Sequence, residues 1–126
     1  MYDLKSERLP PEISQGTFTF ASTIFRQFKQ AKISKVRRVV LLPPTDWWRK
    51  PTYMKIYVVA NVRKPYTLVE KLSRILAPIY TEMLILPEVH VISIKQWKSH
   101  KEARTEIWQT LQKRGLVVYE QSEESS

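Results

Sequence analysis

The 126-residue chain has room for one hydrophobic core, and its 43% hydrophobic content excludes disorder over the whole length. It has no cysteine, which excludes disulfides and cysteine-ligated zinc or iron–sulfur centres, and His90 and His100 are too few for a histidine-rich metal site. The formal net charge of +9 points to polyanionic or acidic partners.

Residues 1–16 have no clear period and carry the breaker pair Pro10 and Pro11, so they read as an N-terminal arm. The spacing of Phe20, Ile24, Phe28 and Ala31 predicts a helix over 17–32. An apolar, β-branched run over 35–42 predicts a strand, stopped by Pro43 and Pro44. A second strand is expected over 53–60, after a loop of residues 43–52 that is long for a tight hairpin.

A second helix is expected over 66–83, with Leu68, Val69, Leu72, Ile75, Leu76, Ile79 and Met83 on its apolar face. Pro78 is expected to kink it or unwind its last turn. Residues 84–94 read as a strand region broken near Pro87, with Val89, Val91 and Ile92 as buried positions. One further helix is expected over 95–114, packing through Trp97, Ile107, Trp108 and Leu111 and closed by Gly115 as its C-cap. A short strand over 116–119 follows, and residues 121–126 read as a disordered tail. The predicted order is α-β-β-α-β-α-β: one α/β domain over 17–120, a small mixed sheet with helices packed on it. No apolar run nears the roughly 20 residues of a membrane span, and the first residues lack a signal peptide's apolar stretch. A cytoplasmic protein without membrane partners is therefore expected.

The positive charge is concentrated. Between residues 26 and 64 lie Arg26, Lys29, Lys32, Lys35, Arg37, Arg38, Arg49, Lys50, Lys55, Arg63 and Lys64, against one acid, Asp46. The remainder has ten basic and eleven acidic residues, so the whole excess falls in one third of the chain. These eleven cations are the candidate phosphate- or nucleic-acid-binding residues, with an acidic protein as the alternative partner. Within the loop, Trp47, Trp48 and Arg49 read as an interaction patch with Tyr57. Trp and Arg concentrate binding energy at interfaces, and Trp beside cations also stacks bases. Capping of the core by the two tryptophans is the competing reading.

Four stretches carry a family resemblance: the strand Val36 to Leu42 after a helix, a second apolar strand Lys55 to Val59, the segment Val91 to Trp97 with Ser93 four residues before Trp97, and the close Arg114, Gly115, Leu116, Val117, Val118, Tyr119, Glu120. In order and spacing, 17–120 resembles a minimal nucleotidyltransferase of the polymerase-β superfamily. The resemblance implies a Gly-Ser turn gripping nucleotide phosphates after the first strand, and an Asp-x-Asp pair holding metal ions on the second. This chain has Pro43 and Pro44 at the first place, and Lys55, Ile56 and Tyr57 at the second. Proline offers no amide hydrogen, and lysine and tyrosine do not hold magnesium at neutral pH. The superfamily's third carboxylate falls near 88–90, where Glu88 is the one acid.

No residue is therefore assigned to catalysis, no metal ligand is assigned and no cofactor is implied. His90 with Ser93 lacks the loops of a nucleophilic triad, and Glu82 with Glu88 reads as solvated acids at a strand start. The expected function is a catalytically inactive, nucleotidyltransferase-like binding or regulatory subunit, associated with nucleic acid or a nucleic-acid-handling complex. Lys55 is a candidate to hold a phosphate in place of magnesium. The alternatives are a nucleotidyltransferase of altered design acting on a partner protein, as in toxin–antitoxin pairs, and a homo-oligomer assembled through the tryptophan loop and strand edges.

Overall fold

The computed structural model describes residues 1–4, 14–44 and 52–121. Among these, five strands form one mixed open sheet with four helices packed on it. The elements are β1 (Tyr2–Asp3), α1 (Gln15–Ala31), β2 (Val36–Leu42), β3 (Tyr53–Ala60), α2 (Pro65–Met83), β4 (Leu86–Ser93), α3 (Ile94–Ala103), α4 (Glu106–Arg114) and β5 (Leu116–Glu120). The sheet order is β1-β5-β2-β3-β4. β2 runs antiparallel to both β3 and β5, whereas β3 pairs in parallel with β4 and β1 with β5.

Strand alternation splits the apolar residues between two layers. Met54, Ile56, Val58 and Ala60 of β3, with Val39 and Leu41 of β2, meet Phe20, Ile24 and Phe28 of α1 and Leu68, Leu72, Leu76 and Ile79 of α2. On the other face Val40, Val117 and Leu111 form a smaller cluster, edged by Met1, Leu42, Tyr57 and Trp97. Burying each large apolar side chain of the main layer contributes about 1.5–3 kcal/mol, so α1 and α2 dominate stability while α3 and α4 cover a thinner layer.

Several boundaries differ from the sequence reading for identifiable reasons. The arm contributes a strand: the Tyr2 and Leu4 amides donate to the Gly115 and Val117 carbonyls at 2.8 and 2.9 Å, which covers the outer edge of β5. The first helix begins at Gln15, where the Ser14 hydroxyl accepts from the Thr17 amide, and Ala31 is exposed rather than core. The single helix expected over 95–114 is two. Arg104 turns left-handed (φ 49°), and Thr105 then caps α4 by accepting from the Trp108 amide. Ile107 is 40% exposed, so Leu111 and Trp97 hold this layer instead.

α2 runs through the exposed Pro78 to Met83 without losing its last turn. β4 likewise runs through Pro87. Gly115 is the C-cap of α4, as expected, and its backbone is extended (φ −69°, ψ 143°). A Cβ there would lie 2.5 Å from the Leu111 carbonyl oxygen and 2.7 Å from Val40 Cγ1, so glycine is required by close approach. No helix of the described residues is long and apolar enough to cross a membrane.

Candidate nucleic-acid interface

The two ends of the parallel pair β3–β4 differ in chemistry. At its carboxyl end the register pairs Ala60 with Ser93, and β2 enters beside them, with Val36 paired to Ala60. The chain leaves β3 through Asn61, Val62, Arg63 and Lys64 into α2, and leaves β4 directly into α3. Both helix N-termini therefore open at one place, the position where open α/β sheets bind ligands. A cleft of about 810 Å³ lies there, lined by Lys35, Asn61, Arg63, Lys64, Thr67, Ser93 and Lys95 among others. A smaller cleft of about 350 Å³ shares Lys35, Val62 and Thr67 with it and adds Lys32 and Lys71. The two clefts together present six cations, and among the described residues no acid lines either.

Local chemistry makes this placement costly without a ligand. Lys64 is the N-cap of α2, followed by Pro65, and makes no side-chain capping bond; Lys95 is the second residue of α3. Neither helix has an acid in its first turn. A cation at the positive end of a helix dipole loses roughly 0.3–1 kcal/mol rather than gaining it, and an anion there reverses the sign. The frame around these lysines is well tied. Ser93 and Gln96 form a capping box with both bonds at 3.0 Å, and Thr67 Oγ1 donates to the Lys64 carbonyl at 2.8 Å.

At the amino end the register fixes what the sequence left open. Lys55 pairs with Glu88 and Tyr57 with His90, all four on the sheet face that carries α3 and α4. The Tyr57 and His90 rings stack at 5.0 Å between centroids and 18° between planes. His90 Nε2 lies 3.4 Å from Glu88 Oε1, within ion-pair range, yet without the alignment of a hydrogen bond. The nucleotidyltransferase resemblance implies divalent cations at this end. The donor set does not fit them: it offers one carboxylate beside an ammonium. No group of three or more His, Cys, Asp or Glu that could hold a metal occurs among the described residues.

The remaining predicted cations divide. Lys32, Lys35, Arg63 and Lys64 come together at the clefts, joined by Lys71 and Lys95, which sequence reasoning missed. Arg26 stays on α1, where it donates to Thr23 Oγ1 at 3.3 Å, and Lys29 sits over the Phe25 ring at 5.7 Å. Arg37 donates to the Ser34 carbonyl, and Arg38 pairs with Glu120 at 3.5 Å. Lys55 belongs to the amino end. Arg49, Lys50 and the tryptophan patch at Trp47 and Trp48 lie outside the described residues, and its fourth member, Tyr57, is half-buried on β3. Protein-family models, curated proteins and solved structures give no match to this chain.

Proposed function

We propose that this chain is a non-catalytic, nucleotidyltransferase-like binding module whose basic clefts take nucleic acid. The observation that carries the reading is the convergence of Lys32, Lys35, Arg63, Lys64, Lys71 and Lys95 at the carboxyl end of the β3–β4 pair, with no acid among the described lining residues and two helix N-termini opening there. A phosphate chain offers the repeating negative charge that such a row of point-charge donors matches. The nucleotidyltransferase-like part rests on the sequence resemblance, and the β3–β4 register sets Lys55, at the place of the expected Asp-x-Asp, beside Glu88, at the place of the expected third carboxylate. With lysine at the first position, the amino end lacks the charge to hold metal for phosphoryl transfer.

The test is binding of labelled oligonucleotides across a salt series, with single- and double-stranded probes of mixed sequence. The logarithm of the affinity falls linearly with the logarithm of salt concentration, by about 0.9 per neutralised phosphate on a duplex and about 0.7 on a single strand. A flat salt response, or capture of an acidic protein while oligonucleotides fail to bind, overturns the assignment.

A further inference from the structure

The two edges of the sheet are treated differently. The β5 edge is covered by β1. The β4 edge, eight residues long, has no strand beyond it among the described residues. We infer that this open edge pairs with the same edge of a second copy, antiparallel and centred on Val89, to give one continuous sheet.

The backbone defines what the edge offers. The Leu86 amide donates to the Thr52 carbonyl at 2.9 Å, so Leu86 turns its peptide groups toward β3. In a parallel ladder the groups of alternate residues point to opposite sides, which puts Glu88, His90 and Ile92 inward and Pro87, Val89, Val91 and Ser93 at the open edge. Pro87 has no amide hydrogen, which explains how a proline fits within β4. The Ser93 amide is taken by Gln96 Oε1 at 3.0 Å. The outward donors are therefore Val89 and Val91.

Only some registers use both donors, and side chains choose among those. Centring on Val89 bonds Val89 to Val89 of the second copy, and sends each Val91 amide to the opposing Pro87 carbonyl. That register sets Glu88 opposite His90 of the second copy and Leu86, which is 51% exposed, opposite Ile92. Shifting the centre to His90 sets histidine against histidine and leaves Glu88 facing an isoleucine. Shifting it to Glu88 opposes two carboxylates and loses half the bonds. Directly opposed unlike groups stabilise a strand pair and like charges weaken it, so the Val89-centred register is the self-complementary one.

The chain has no cysteine, so single substitutions report geometry cleanly. Light scattering on the purified, nucleic-acid-free protein is expected to give twice the 15.0 kDa chain mass. Under mild oxidation Val89→Cys is expected to form a covalent dimer, because directly opposed bonded residues stand about 5.5 Å apart at Cα, within disulfide range. Val91→Cys is expected to stay uncrosslinked, its two copies being offset by roughly 13 Å along the strands. Val89→Pro, which removes an outward donor without touching the β3 ladder, is expected to return the mass to that of a monomer. A wild-type monomer at all concentrations overturns the inference. So does a dimer that crosslinks through Val91→Cys instead, or through neither.

Discussion

The two ends of the β3–β4 pair hold the same kinds of cation and arrange them in opposite ways. At the amino end Lys55 lies beside Glu88 in register, and His90 stacks on Tyr57 with its Nε2 near that same carboxylate. At the carboxyl end six lysines and arginines line adjoining clefts, with no acid among the described lining residues. The difference teaches that a basic composition does not locate a binding surface. Cations with an acid as neighbour have much of their field cancelled locally, whereas cations grouped without one raise the potential that draws a polyanion. Arg38, paired with Glu120, belongs with the first kind, although it lies in the most basic third of the sequence.

The largest effect that this contrast predicts comes from emptying the carboxyl end. Lys35→Ala, Lys64→Ala and Lys95→Ala combined should weaken oligonucleotide binding on the order of 100-fold at low salt, measured by fluorescence anisotropy. Each single substitution should lower the salt slope on a duplex by about one unit and weaken all sequences alike, as expected for contacts to phosphate rather than to bases. All three side chains leave the apolar clusters untouched, so the melting temperature should stay the same or rise. A rise would follow from relieving the cations at the two helix N-termini. Equal binding by the triple variant would break the contrast between the two ends.

An intermediate effect is expected at the floor of the cleft. Ser93 is 8% exposed and caps α3 through the Gln96 amide, which fixes the start of the helix that carries Lys95. Ser93→Ala should cost about 1 kcal/mol in a denaturant titration, the usual loss for an N-cap. Binding should fall only a few-fold, since the lysines remain but Lys95 is less well held. Ser93→Asp restores the cap and adds a negative charge facing the cations. It should recover the stability and weaken binding further, a split that a purely structural role for Ser93 would not produce.

The sheet and its helical cover were legible because Phe20, Ile24 and Phe28, and Leu68, Leu72, Leu76 and Ile79, repeat at helical spacing beside short apolar strands. β1 was not, because a two-residue strand has no period and exists only through bonds to a segment more than a hundred residues away. The break at Arg104 and Thr105 was hidden by apolar spacing that continues across it, although Thr105 is a good N-cap residue. Of the site, Lys32, Lys35, Arg63 and Lys64 were visible as a charge run. Lys71 and Lys95 sit in acid-balanced sequence and reach the cleft only through the β3-α2-β4 crossover. One local signal was present for Lys95: it lies inside the capping box that Ser93 and Gln96 make, where an acid is the ordinary choice.

The smallest effect is expected at Lys55, and it is the sharpest test of the two-ended picture. Lys55 could hold a phosphate only if its charge were available. Here Glu88 stands opposite it in register on the same sheet face, and its carboxylate competes with any incoming anion. Lys55→Ala should therefore change oligonucleotide affinity by less than about 3-fold, with the salt slope unaltered. Glu88→Gln should do the reverse, strengthening nucleoside triphosphate binding at this end while the carboxyl-end clefts behave as before. Titration of both variants with a triphosphate and with an oligonucleotide separates the ends directly. If Lys55→Ala abolishes triphosphate binding in the presence of Glu88, the amino end is an anion site in its own right, and the distinction between the two ends fails.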